Sequence, residues 1–150
     1  MFYTFKNCYT NMQVMLPVYL PRIRHWILFE FDLIQFDVTI YDSAQHIGTI
    51  EDRLEALNRF GDGLKEYLDA IQYWENAGCD TALDHPLTFR YNPYPDMPQQ
   101  TGPLGDCGVW VCKYMEKLAH KLDLKETGST KALAWDYRMR MAELFFRARF

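Results

Sequence analysis

The 150-residue chain has no block of lysines or arginines, and its 16 basic residues are outnumbered by 20 acidic ones, for a formal net charge of −4. A protein held on nucleic acid by phosphate contacts needs a concentrated basic face, so no nucleic-acid partner is expected. Cysteine is scarce. Cys8, Cys79, Cys107 and Cys112 form no Cys-x-x-Cys pair and no zinc-ligand spacing, so neither a disulfide framework nor a metal site is expected. The N-terminus lacks a charged region followed by an apolar run. Free thiols without such a leader point to an intracellular compartment. No apolar stretch approaches the roughly 20 residues needed to cross a bilayer, so no membrane partner is expected either. Internal repeats and low-complexity tracts are also missing.

What the chain does have is an ordinary globular mix, 49% hydrophobic and 24% charged, with a length that fits one domain spanning 1–150. Aromatic residues reach 16%, which predicts a ring-rich core.

Residues 26–33, Trp-Ile-Leu-Phe-Glu-Phe-Asp-Leu, make a nearly continuous apolar run of strand length. A second strand is predicted at 38–42, with 34–37 as the turn of an antiparallel hairpin. A continuous apolar strand is buried on both faces, so helices should cover this sheet on either side. From Ile50 to about Trp74 the apolar residues Ile50, Leu54, Leu57, Leu64, Leu68 and Ile71 keep helical spacing, with Thr49 as N-cap. Gly61 and Gly63 each weaken a helix by roughly 1 kcal/mol, which predicts a break between them. A third strand is expected at 87–91. The proline-rich stretch 92–105 is a loop.

A helix then starts at or near Cys107, with Val111, Met115, Leu118 and Leu122 on one face. A last helix covers 131–147, with Leu133, Tyr137, Met141, Leu144 and Phe145 facing inward. Strands followed by segregated helices indicate an α+β or mixed α/β layering.

Three stretches carry residues suited to chemistry: Arg24-His25-Trp26, Tyr41-Asp42-Ser43, and the run from Pro98 to Cys112 that leads into a helix. In a hairpin, the start of the first strand and the end of the second lie at the same margin of the sheet. That places His25 beside Asp42, where a carboxylate orients the imidazole and stabilises its charged form. Cys107 follows a glycine-containing loop at a helix N-terminus, where unpaired amides and the helix dipole favour a thiolate. A nucleophile, a base and an orienting acid are therefore available, although spacing alone does not bring Cys107 to the other two.

Each residue also has a plainer reading. Taken in isolation, His25 is more commonly a solvated strand-edge residue, Asp42 the start of a turn with Ser43, and Cys107 a small buried apolar residue. Cys112 is about 140° around the helix from Cys107 and is expected to face the core. Lys113, Glu116, Lys117 and Lys121 read as a solvated helix face. His46, His85 and His120 have no assigned role.

His25-Trp26-Ile27-Leu28, then Tyr41-Asp42-Ser43 with 17 residues from histidine to aspartate, then Pro98-Gln99-Gln100 and Asp106-Cys107-Gly108-Val109-Trp110-Val111-Cys112, resemble the motifs of the ubiquitin-like-protein protease family. The best-known members of that family are the SUMO-specific proteases. The motifs occur in the family's order, and the likeness runs from about Val18 to the end of the chain. The resemblance implies an α+β domain with a small mixed sheet flanked by helices, of the papain-like cysteine-protease type. It implies cleavage after the terminal Gly-Gly of a ubiquitin-like modifier, SUMO-type, through an acyl-thioester at Cys107, with His25 as base and Asp42 as its orienter.

A glutamine and the Cys107 amide would form the oxyanion hole. Gln100 is favoured over Gln99, although it stands seven residues before the cysteine where the family usually has six; an inserted residue such as Pro103 or Leu104 accounts for the difference. Trp26 would help enclose the Gly-Gly tail. No cofactor is implied. The expected partners are the modifier and its conjugates, the chain acting as a monomer in the nucleus or cytoplasm, with the nucleus favoured by the family. Only 24 residues precede His25, fewer than the family carries, so an N-terminally abbreviated catalytic domain is expected. The alternative is an impaired remnant that binds a modifier or serves as a structural module. A third reading is an unrelated hydrolase of another acyl substrate.

Overall fold

The computed structural model describes residues 13–76, 87–94, 96–101 and 105–148. Its centre is a four-stranded sheet in the order β1-β2-β3-β4, formed by β1 (Gln13–Leu20), β2 (His25–Asp32), β3 (Asp37–Tyr41) and β4 (Thr88–Tyr91). The β2–β3 hairpin is antiparallel as predicted, with Leu28 opposite Tyr41 and Asp32 opposite Asp37. β4 adds in parallel to β3, which makes the sheet mixed. β1, antiparallel to β2, was not expected. Pro17 interrupts its pattern, and only an edge strand tolerates a residue that donates no ladder hydrogen bond.

β2 is buried on both sides, as its unbroken apolar run requires. Ile27, Phe29 and Phe31 join Val38, Ile40, Leu57 and Leu68 in one core cluster. Leu28 belongs to another, with Tyr41, Trp110, Val111, Tyr114 and Tyr137. Each such side chain contributes roughly 1.5–3 kcal/mol by leaving water, so this strand anchors both layers.

The first layer is α1 (Ile50–Ala70). Asp52 caps its start, its carboxylate accepting from the Thr49 amide at 2.9 Å and the Thr49 hydroxyl at 3.3 Å. The helix runs through Gly61 and Gly63 without the predicted break. Gly61 is a point of close approach, since a Cβ there would lie 3.0 Å from Leu87 Cδ2. A short helix, α2 (Tyr73–Asn76), follows.

The second layer is α3 (Cys107–Ala119) and α4 (Thr130–Arg147). Leu122 lies beyond the end of α3 and is exposed. Leu133, Tyr137 and Met141 pack inward from α4, but Leu144 and Phe145 do not, Phe145 being 79% exposed. Helical periodicity continues there with no layer beneath it among the described residues, and none of residues 142–148 is buried. Cys112 is also exposed rather than core-facing. Cys107 itself lies on the buried side with Val111 and Tyr114, so a residue 140° away points outward. Lys113 and Lys117 are not a solvated face; both reach Glu126, at 2.9 and 2.6 Å.

Tyr114 ties the second layer to the long loop, its buried hydroxyl donating to the Pro98 carbonyl at 2.8 Å. Tyr114→Phe leaves that carbonyl with only a long contact from the Gln99 side chain, at 3.4 Å. It is expected to lower stability by about 1–2 kcal/mol, measured as a shift of the urea midpoint.

Candidate active site

The turn between β1 and β2 delivers His25 as the first residue of β2, directly after Arg24 in the left-handed conformation (φ 52°). Asp42 follows the last residue of β3. Antiparallel pairing brings the two to one margin, and His25 Nε2 lies 2.8 Å from Asp42 Oδ1. Both side chains are enclosed, His25 being 1% and Asp42 0% exposed. Cys107, the first residue of α3, lies within interaction reach of the same imidazole and of the Trp26 and Gly108 backbones. With Nε2 committed to Asp42, the ring's Nδ1 is the nitrogen that serves Cys107. The packing of α3 on β2 thus supplies the juxtaposition that spacing did not.

Electrostatics follow from this line of groups. Burial disfavours the charged form of His25, but the hydrogen bonds and charges of Asp42 and Cys107 outweigh it and raise the pKa from 6.5 to about 9. Burial would likewise raise the Cys107 pKa; the His25 hydrogen bond and charge, with the two backbone bonds, bring it below the ordinary thiol value. Asp42 is lowered from 3.8 to about 2, again against burial, by His25, the Ala44 amide and Arg53.

The signs set a stability window. The Asp42 contribution is present above pH 3.8 and is lost as pH falls through about 2. The His25 contribution is complete below pH 6.5 and is lost as pH rises through about 9. Urea unfolding at a series of pH values is therefore expected to show greatest stability between these limits, falling on both sides.

Three residues that sequence reading missed complete the Asp42 environment. Arg53, on α1, donates to Oδ2 from Nε at 2.9 Å and Nη2 at 2.6 Å. The Tyr91 hydroxyl donates to the same oxygen at 2.9 Å. The Asn92 side chain clasps the Asp42 backbone, accepting from its amide at 2.7 Å and donating to its carbonyl at 3.0 Å. A signal for Arg53 was present. It interrupts the apolar stripe between Ile50 and Leu57 and puts a cation in a first helical turn, where the dipole disfavours it.

The two glutamines separate cleanly. The Gln99 side chain braces the end of β3, donating to the Asp42 carbonyl at 3.1 Å and accepting from the Gln45 amide at 3.2 Å. Gln100 is buried, with its amide on the Ser43 carbonyl at 2.6 Å. Pro103 and Leu104, where an inserted residue was expected, lie outside the described residues, as do Cys8, Cys79 and His85. His46 and His120 are exposed. Ahead of Cys107, Arg138 of α4 holds the Gly105 carbonyl and, at 2.8 Å, the Asp106 carboxylate. Gly105 adopts φ +104°, a conformation that suits glycine. Trp26, 40% exposed, stacks at a tilt on Tyr19 with ring centroids 5.1 Å apart, so an aromatic wall stands beside the thiol. Among the described residues no group of acidic, histidine and cysteine side chains is placed to hold a metal.

A thiol beside an imidazole that is itself hydrogen-bonded to a carboxylate, with the thiol at a helix N-terminus, is a site of the cysteine-peptidase class. The chain belongs to the Ulp1 protease family, matching its C-terminal catalytic domain over residues 14–148. Two solved structures of the SUMO protease Ulp1 are similar, one with its catalytic cysteine oxidised to a sulfonic acid and one to a sulfenic acid. Each is 20% identical, with a TM-score of 0.47, over 77% of this chain and 45% of theirs. The chain therefore spans less than half the length of those proteins. None of the curated proteins compared matches it.

Proposed function

We propose that this chain is a catalytic domain that cleaves after the C-terminal Gly-Gly of a SUMO-type ubiquitin-like modifier, in deconjugation or precursor processing. The observation that carries the reading is the shared imidazole, with Asp42 on one ring nitrogen at 2.8 Å and Cys107 within interaction reach of the same ring.

The Cys107 thiolate attacks the carbonyl carbon of the terminal glycine. The oxyanion forms against the Cys107 amide and the Gln100 side chain, Gln99 being occupied as a brace. As the tetrahedral intermediate collapses, the C–N bond breaks and His25 gives its proton to the leaving amine. The modifier remains as a thioester on Cys107. Neutral His25 then takes a proton from water, whose oxygen attacks the thioester. Carboxylate product leaves, and the Cys107–His25 ion pair is restored. Asp42 keeps the imidazole in orientation throughout.

Trp26 and Tyr19 form the wall along which the tail runs; glycines, lacking Cβ, pass where larger residues would clash. The domain acts as a monomer on the modifier and its conjugates, in the nucleus or cytoplasm.

A SUMO-type modifier bearing a C-terminal vinyl sulfone tests this reading. Covalent adduct formation on the intact chain, absent in Cys107→Ala, is the expected result. Binding without an adduct assigns the chain to modifier recognition alone, and turnover of small esters with no modifier dependence assigns it to another class of acyl hydrolase.

A further inference from the structure

Among the described residues Arg53 is the most deeply enclosed charge outside the triad, 0% exposed. It is also the most completely bonded. Besides its two contacts to Asp42 Oδ2, it donates from Nη1 to the Thr49 carbonyl at 2.8 Å and from Nη2 to the Ala44 carbonyl at 3.3 Å. Gly48 makes room for it. At φ +72° a Cβ on residue 48 would stand 2.9 Å from Arg53 Nη1. A buried arginine is a weak device for stability, since desolvation offsets most of its Coulomb gain. Its placement on the far oxygen of the carboxylate that holds His25 points to a role in the site instead.

We propose that Arg53 is a positioning residue that holds the second oxygen of Asp42 and, by its fixed charge, sets the pH interval in which Cys107 and His25 exist as thiolate and imidazolium. The inference rests on the reading of the site given above.

The groups facing Asp42 come from every element packed around it: His25 from β2, Arg53 from α1, Tyr91 from β4 and Tyr114 from α3, with Cys107 of α3 reached through His25. Asp52 lies beside Arg53. Arg53 is the one permanent cation in this set. Its positive charge lowers the proton affinity of the carboxylate directly, and a fixed cation on that oxygen is expected to lower those of the imidazole and the thiol behind it in the same direction. Without it, Asp42 faces His25 with its charge uncompensated, and all three proton affinities rise. The acid limb, where the thiolate forms, and the alkaline limb, where the imidazolium loses its proton, must then move together toward higher pH. The plateau shifts and does not narrow. A residue that only supports the fold would lower reactivity at every pH and leave the limbs in place.

The test is the rate of Cys107 alkylation by iodoacetamide across pH in the full chain, read by peptide mass spectrometry so that the other thiols are resolved. It needs neither modifier nor turnover. Arg53→Gln, which keeps hydrogen-bond donors and loses the charge, is expected to shift both limbs alkaline by about one pH unit. Arg53→Lys keeps the charge but not the paired geometry, and is expected to shift them by about a third of that. Limbs that stay in place in both variants, or that move acid, overturn the proposal. If Arg53→Gln does not fold, Arg53→Met, which also removes the charge, takes its place, and limbs that stay where they are in it overturn the proposal equally. A wild-type chain whose Cys107 titrates as an isolated thiol, unaltered by His25→Ala, refutes the underlying reading of the site instead.

Discussion

Under the proposed function, Asp42→Asn is expected to lower modifier cleavage by about 10⁴-fold, and in any case folding stability by about 3–5 kcal/mol. The reason is the number of donors that converge on this carboxylate. Oδ1 receives His25 Nε2 and, at 2.7 Å, the Ala44 amide. Oδ2 receives two Arg53 nitrogens and the Tyr91 hydroxyl. An asparagine has one oxygen and an NH₂ that only donates, so one side of the pocket meets donor against donor. With the oxygen toward Arg53, the NH₂ faces His25 Nε2. The ring must then carry its proton on Nδ1, where it cannot accept one from Cys107. With the oxygen toward His25, the NH₂ meets the Arg53 and Tyr91 donors, and in both orientations the buried guanidinium has lost its counter-charge. Either orientation removes a property the site needs. Single-turnover kinetics with a modifier amide and thermal unfolding of the same sample read the two losses separately. Activity within tenfold of wild type would show that Asp42 does not govern the imidazole.

The second large effect concerns His25. In His25→Ala, Cys107 keeps the backbone donors of Trp26 and Gly108 but loses the charged partner, and burial then favours the neutral thiol. Alkylation of Cys107 near pH 6 is expected to fall on the order of 10²-fold, because the thiolate is the nucleophile and its fraction drops as the thiol pKa returns toward its ordinary range. The rate should recover as pH is raised into the ordinary thiol range. A reactivity at low pH that survives His25→Ala would place the activation of Cys107 elsewhere, in the α3 dipole or the amides alone.

Most of the sheet was readable in advance because local pattern governs it. The apolar run of β2 specifies burial on both faces, and the short turn to β3 sets a register that leaves His25 and Asp42 at one margin. The Thr49 cap and the α3 start at Cys107 were legible for the same reason, since capping and loop chemistry act over a few residues. β1 was missed at Pro17, and the continuity of α1 was misjudged at Gly61, whose packing partner Leu87 is remote in sequence. Cys112, Leu144 and Phe145 went astray because helical phase shows which residues share a face, whereas burial depends on what lies against that face.

By itself, then, the sequence determined the strands that carry a histidine and an aspartate, the helix that begins on a cysteine, and the family to which these belong. Tertiary structure alone decided that Cys107 meets the imidazole, that Gln99 is a brace, and that Arg53, Tyr91 and Asn92 enclose Asp42. The physical reason is range. Hydrogen-bonded turns and apolar periodicity are local and leave their mark in adjacent residues. A buried charge is held by partners that the chain brings together only when α1, β4 and α3 close over the sheet.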